Sequence, residues 1–220
     1  MIEARHSTLA HGIFAPYVRS LFRKHFHGVY TFEPLPSVSP TLPIILAPNH
    51  SLWWDGFIVY MLNHAHFRRT FYVMMLEEQL RRYWFFQYVG AYSIRQESPR
   101  GIVETMRYSQ SIISLQPPPL LTVFPQGEQL PSHIRPLGCK RGIESILLKT
   151  AQDVALIPIA IRAVHTEEAR PRLFIQCAPP IVCSSGSSPS TSYLEEVMTN
   201  LLHDIDNHLL QKTPPLHLAW

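Results

Sequence analysis

His50 and Asp55 stand five positions apart in the segment Asn49-His50-Ser51-Leu52-Trp53-Trp54-Asp55. An imidazole held by a carboxylate is a general base able to take a proton from an alcohol. The carboxylate fixes the tautomer and stabilises the imidazolium that forms. The segment follows an apolar run over 42–47, Leu42-Pro43-Ile44-Ile45-Leu46-Ala47, which reads as a strand. A strand that passes through a loop into a helix is a common place for function in α/β folds. The same spacing also suits an acid that merely caps a helix near a surface histidine, so the pair alone leaves both readings open. A second segment, Val123-Phe124-Pro125-Gln126-Gly127-Glu128, follows another apolar strand at 120–124.

The elements that must position these residues alternate along the chain. Apolar residues at 10–26 recur at three and four and predict a helix with one apolar face, its length limited by Pro16. Its aromatics lie among Arg19, Arg23, Lys24 and His25, which suits either an interfacial anchor or packing on the domain. Residues 33–41 hold three prolines and read as a loop. A helix is expected from Asp55 to about residue 63, a strand over 70–75, a helix over 77–87 and a short strand over 92–94. Pro99 favours a helix start that runs to about 115. A helix lies within 138–150, strands at 154–164 and 172–177, a Ser-rich loop at 184–192 and a helix over 193–210. Strands alternating with helices imply an α/β fold: a single domain whose mixed, mostly buried β-sheet is flanked by helices.

The 220 residues suit one domain with a substantial core. Charged residues make up only 16% against 46% hydrophobic, so the chain buries much or touches something apolar. A net charge of +3 is too mild for a nucleic-acid binder, but suits an anionic membrane surface or phosphorylated substrates. Cys139, Cys177 and Cys183 lack metal-ligand spacing, and their odd number points to a reducing compartment. His64-Ala65-His66 and His25-Phe26-His27 lack the spacing and third ligand of a zinc site, and no metal is expected. No signal peptide or run of ~20 apolar residues is visible, so the expected location is peripheral, on the cytoplasmic side of a membrane.

Four ordered blocks carry a stronger signal than any one of them. After His50 and Asp55 come Gly90-Ala91-Tyr92-Ser93-Ile94-Arg95, then Phe124-Pro125-Gln126-Gly127-Glu128, then Ile157-Pro158-Ile159-Ala160-Ile161. Cys139-Lys140-Arg141-Gly142 falls between the last two. In this order the segments resemble the signature blocks of the glycerolipid acyltransferases, over roughly residues 40 to 180. The resemblance implies an N-terminal segment at 1–35, an acyltransferase core at 36–183, a loop at 184–192 and a C-terminal helix and tail at 193–220.

It also implies a membrane-associated O-acyltransferase that moves a fatty acyl group to a hydroxyl of a lysophospholipid or other polar lipid. The donor is a thioester, acyl-CoA or acyl-carrier protein, used as a substrate with no tightly bound cofactor. His50 is then the base and Asp55 its partner, and Ser51 is not needed as a nucleophile. Amides near Gly127 or at the helix start after Asp55 are candidates to hold the oxyanion. Substrate contacts fall to Arg95, Gln126, Gly127, Glu128, Lys140 and Arg141. The third block departs from the family's Phe-Pro-Glu-Gly-Thr-Arg at Gln126, Glu128 and Gln129. That loses a cation and adds an acid where a phosphorylated acceptor would sit, with Arg135 in reach to compensate. An acceptor with free hydroxyls and no phosphomonoester fits this change. A catalytically silent lipid- or partner-binding relative, or a lipid hydrolase or transacylase, remains the alternative.

Overall fold

The computed structural model describes residues 1–218; the end of the expected tail, Ala219 and Trp220, lies outside them. Helix α1 spans Thr8–His25, capped by the Ser7 hydroxyl, which accepts the Ala10 N–H. It runs straight through Pro16, contrary to the expected limit. The proline ring removes one backbone N–H and crowds the carbonyl of Gly12, a cost that the burial of this helix offsets. Phe14, Ala15, Val18 and Phe22 anchor the helix on both sides of the proline. Burial contributes on the order of 1.5–3 kcal/mol per large side chain, which outweighs the ~3 kcal/mol cost of an interior proline.

The strands are β1 (Gly28–Thr31), β2 (Ile44–Pro48), β3 (Phe71–Leu76), β4 (Ala91–Ile94), β5 (Leu120–Thr122), β6 (Val154–Val164), β7 (Arg172–Cys177), β8 (Ile181–Cys183) and β9 (Leu216–His217). They form one sheet in the order β4-β3-β5-β2-β6-β7-β1-β9, with β8 paired to the start of β6. Strands β4, β3, β5, β2 and β6 run parallel. The β6–β7 and β1–β9 pairs are antiparallel, so the sheet is mixed, as the sequence implied. The remaining helices are α2 (Asp55–Leu62), α3 (Glu77–Arg82), α4 (Pro99–Ile113), α5 (Gly142–Leu147) and α6 (Thr191–Leu210).

Alternate side chains of each strand feed two cores. On one face Ile44, Leu46, Leu120, Ile157 and Ile159 pack with α1 and α2. On the other, Ile45, Ala47, Leu121, Val123 and Ala160 pack with Ile112 and Ile113 of α4, Ile143 and Ile146 of α5, and Met198 and Leu202 of α6. The middle strands are thus covered on both sides, as a parallel sheet requires. The helix expected over 77–87 is broken: α3 stops at Arg82, Tyr83 leaves helical geometry, and Trp84–Tyr88 form a separate 3-10 turn. The break turns Phe86 inward against Phe14 and Phe57. The chain then turns at Gly90, with φ +101°, where a Cβ would lie 1.9 Å from the Phe71 carbonyl oxygen. Only glycine fits there.

Candidate active site

The carboxyl ends of β2, β4 and β5 open toward the same edge of the parallel strands, the usual place for function in such sheets. Strand β2 ends at Pro48 and releases Asn49 and His50 into the loop that leads to α2. His50 Nδ1 lies 2.9 Å from Asp55 Oδ2. The same oxygen accepts the backbone N–H groups of Ser51 at 2.8 Å and Leu52 at 2.9 Å. Asp55, the first residue of α2, therefore gathers the loop around itself and clamps the imidazole. Its side chain is 0% exposed, and Oδ1 has no partner. Burial, the largest influence, raises its carboxyl above the ordinary range, against the pull of His50 and the two amides. His50 keeps partial access to solvent, and with Nδ1 on Asp55 its other nitrogen, Nε2, is left for a substrate.

The third block closes on the same histidine. Phe124 stacks on the His50 ring with centroids 4.3 Å apart. Buried Gln126 accepts the His50 N–H through Oε1 at 2.6 Å. The Leu130 N–H donates to the His50 carbonyl at 3.0 Å. Gln126 thus fixes the loop that carries His50, a role the sequence did not assign to it. Gly127 turns at φ +70°, its N–H on the Phe124 carbonyl and its carbonyl accepting from Gln96 Nε2 at 2.7 Å. The Gly127 N–H is therefore already used, which removes it from the candidates for an oxyanion donor. A Cβ on Gly127 would meet Lys140 Cδ at 3.1 Å, so Lys140 lies over this turn.

Not all the expected contacts converge. Glu128 and Lys140 pair with each other at 3.3 Å above Gly127. Arg95, next to Gln96, is held by Glu77 and Glu104. Arg141, the residue before α5, pairs with Glu144 of that helix. Arg135, expected as a compensating cation, turns its guanidinium onto the Ser132 and Ile134 carbonyls, beside Arg162. Trp54 packs on Phe22, Phe26 and His25 and ties the loop to α1, while Trp53 is exposed. Among the described residues no group of three or more His, Cys, Asp or Glu side chains is arranged to hold a metal.

Three contributors were not read from the sequence. Buried Asn49 accepts the Ile161 N–H at 2.6 Å and donates to the Ile161 carbonyl at 3.2 Å, locking the strand end before His50 to the fourth block. Its place between a fully buried strand and His50 was the available signal. Gln96 and Glu195 act over distance. Glu195 on α6 accepts the N–H groups of Gly138 and Cys139, both at 3.0 Å, and so fixes the backbone leading to Lys140. Nothing local marks either residue.

A family model described as "Acyltransferase" matches residues 29–162. This covers more than half of the chain, which belongs to the acyltransferase family and is an acyltransferase enzyme. The resemblance to glycerolipid acyltransferases carried by the four blocks therefore holds. Among solved structures the fold is similar to that of the 1-acyl-sn-glycerophosphate (LPA) acyltransferase PlsC from Thermotoga maritima. The match has a TM-score of 0.63 and 17% identity, and covers 89% of this chain and 79% of that one. No curated protein matches the sequence.

Proposed function

We propose that the protein transfers a fatty acyl group from a thioester, acyl-CoA or acyl-carrier protein, to a hydroxyl of a lysophospholipid or other polar lipid at a membrane surface. The observation that carries the reading is the 2.9 Å contact of His50 Nδ1 with a fully buried Asp55 that leaves Nε2 for substrate. Nε2 removes the hydroxyl proton as the acceptor oxygen attacks the thioester carbonyl. The imidazolium forms against the Asp55 charge. The tetrahedral intermediate collapses, the C–O bond stays, the C–S bond breaks, and His50 returns its proton to the departing thiolate. No acyl-enzyme is needed in this scheme, and the contact the Ser51 hydroxyl makes is with Asn49 Nδ2, which donates to it at 3.4 Å.

The membrane part of the reading is supported by one face of the molecule. Leu9, Ile13 and Tyr17 lie at four-residue spacing on the outer side of α1 and are 73%, 62% and 56% exposed. Exposed Trp84 and Phe85 lie beside Phe86, which packs on Phe14 of α1, and exposed Trp53 packs on Phe57. Arg23 and Lys24 of α1, and Arg81 and Arg82 at the end of α3 just before Trp84, are exposed. An apolar and aromatic patch with basic neighbours suits a lipid headgroup boundary. It lies beside the loop that carries His50. Among the described residues no helix is long and apolar enough to cross a membrane.

The test is thiol release by purified protein from long-chain acyl-CoA, and from acyl-carrier protein, with and without lipid acceptors. Acceptor-dependent release that disappears in His50→Ala is the expected result. Release without acceptor would instead mark a hydrolase. No release from either donor would leave a lipid-binding relative.

A further inference from the structure

Arg95, Lys140 and Arg141, the cations expected to contact substrate, are already matched by carboxylates. Arg95 Nε is 3.5 Å from Glu77 and its Nη2 is 3.3 Å from Glu104. Lys140 Nζ is 3.3 Å from Glu128, and Arg141 Nη2 is 2.6 Å from Glu144. Gln129, one residue past Glu128, is neutral and donates to the Ser51 carbonyl at 3.4 Å. A phosphomonoester carries close to two negative charges at neutral pH. To engage Lys140 it must share the ammonium with Glu128 or displace it. Exposed ion pairs are weak, so the displacement itself is feasible. The released carboxylate, however, stays tethered one residue from Gly127 and repels the incoming dianion.

The neutral groups at the site fit another kind of headgroup. Gln126 has its orientation fixed, because only Oε1 can accept the His50 N–H at 2.6 Å. Its amide nitrogen is the group left to donate, and an amide donor matches an uncharged oxygen. Glu128 is exposed and can accept from further hydroxyls once a polyol arrives. We infer that, given the acyl-transfer reading, the acceptor headgroup is an uncharged one bearing hydroxyls, glycerol or a sugar, rather than a phosphomonoester.

Three acceptors of equal acyl chain, presented in the same mixed micelles, test this: monoacylglycerol, a monoacyl glucosylglycerol, and lysophosphatidate. The expected result is a kcat/KM for at least one uncharged acceptor about tenfold or more above that for lysophosphatidate. Glu128→Gln, which frees Lys140, should shift the ratio several-fold toward lysophosphatidate. Lysophosphatidate used as well as, or better than, both uncharged acceptors overturns the inference and leaves acyl transfer standing. Thiol release with none of the three overturns both together. A ratio unmoved by Glu128→Gln would remove the charge argument on which the inference stands.

Discussion

Asp55→Asn separates a catalytic carboxylate from a helix-capping one. In the wild type Oδ2 accepts three hydrogen bonds at 2.8–2.9 Å. Bonds to a charged acceptor contribute roughly 1.5–3 kcal/mol each, and neutral ones roughly 0.5–1.5. Asparagine keeps the oxygen, so the three bonds lose about 3–5 kcal/mol together. Against this, a fully buried carboxylate carries a desolvation cost of several kcal/mol that the amide does not. The two nearly cancel, and stability should change by no more than about 2 kcal/mol. Turnover has no such compensation. The imidazolium that forms on His50 loses its counter-charge, an interaction of about 4 kcal/mol for charges ~4 Å apart at an effective dielectric of ~20. That is about a thousandfold in kcat.

The assay pairs kcat from thiol release with the thermal midpoint of unfolding. The expected result is a kcat lowered roughly a thousandfold with a Tm within several degrees of wild type. The pH dependence gives a further check. Burial raises the folded Asp55 carboxyl above its ordinary value of 3.8. The folded protein then holds a proton that the unfolded chain has released, so wild type loses stability as pH rises from about 3.8 through the raised value. The asparagine variant does not titrate, and its stability relative to wild type should increase over that window. A Tm lowered by ten degrees or more with kcat unchanged would make Asp55 a cap and refute the reasoning.

Three other outcomes are expected. Asn49→Ala leaves the Ile161 N–H and carbonyl unpaired in a buried site. At about 1–3 kcal/mol per buried orphan group, calorimetry should show a clearly lower Tm, and kcat should fall more than KM rises. Ser51→Ala should keep kcat within about tenfold of wild type, because direct transfer gives the hydroxyl no bond to make; complete loss would argue for an acyl-enzyme. Replacing Leu9 and Ile13 together with Glu should weaken co-sedimentation with anionic vesicles by about tenfold or more without changing Tm by more than a few degrees, since both side chains are exposed. Unchanged vesicle binding would detach the α1 face from the membrane reading.

What could be read before the structure, and what could not, divides by the range of the interactions. His50 and Asp55 were legible because the four residues between them bring them together and the strand before them is written in unbroken apolar residues. The central strands and α6 were legible for the same local reason. Strand β1, Gly28-Val29-Tyr30-Thr31, was missed because it owes its existence to Leu173 and Phe174 on β7, more than 140 residues away. The two-residue β9 exists only through its pairing with β1. The interrupted helix after Glu77 was misread because its propensity says helix, while Phe86 gains more by turning into the pocket between Phe14 and Phe57. The cations illustrate the point most sharply for function. Arg95, Lys140 and Arg141 invite an anionic ligand as letters. Their partners Glu77, Glu104, Glu128 and Glu144 were equally visible, but only the fold sets each acid against its base. Charge type is local, whereas charge balance is tertiary.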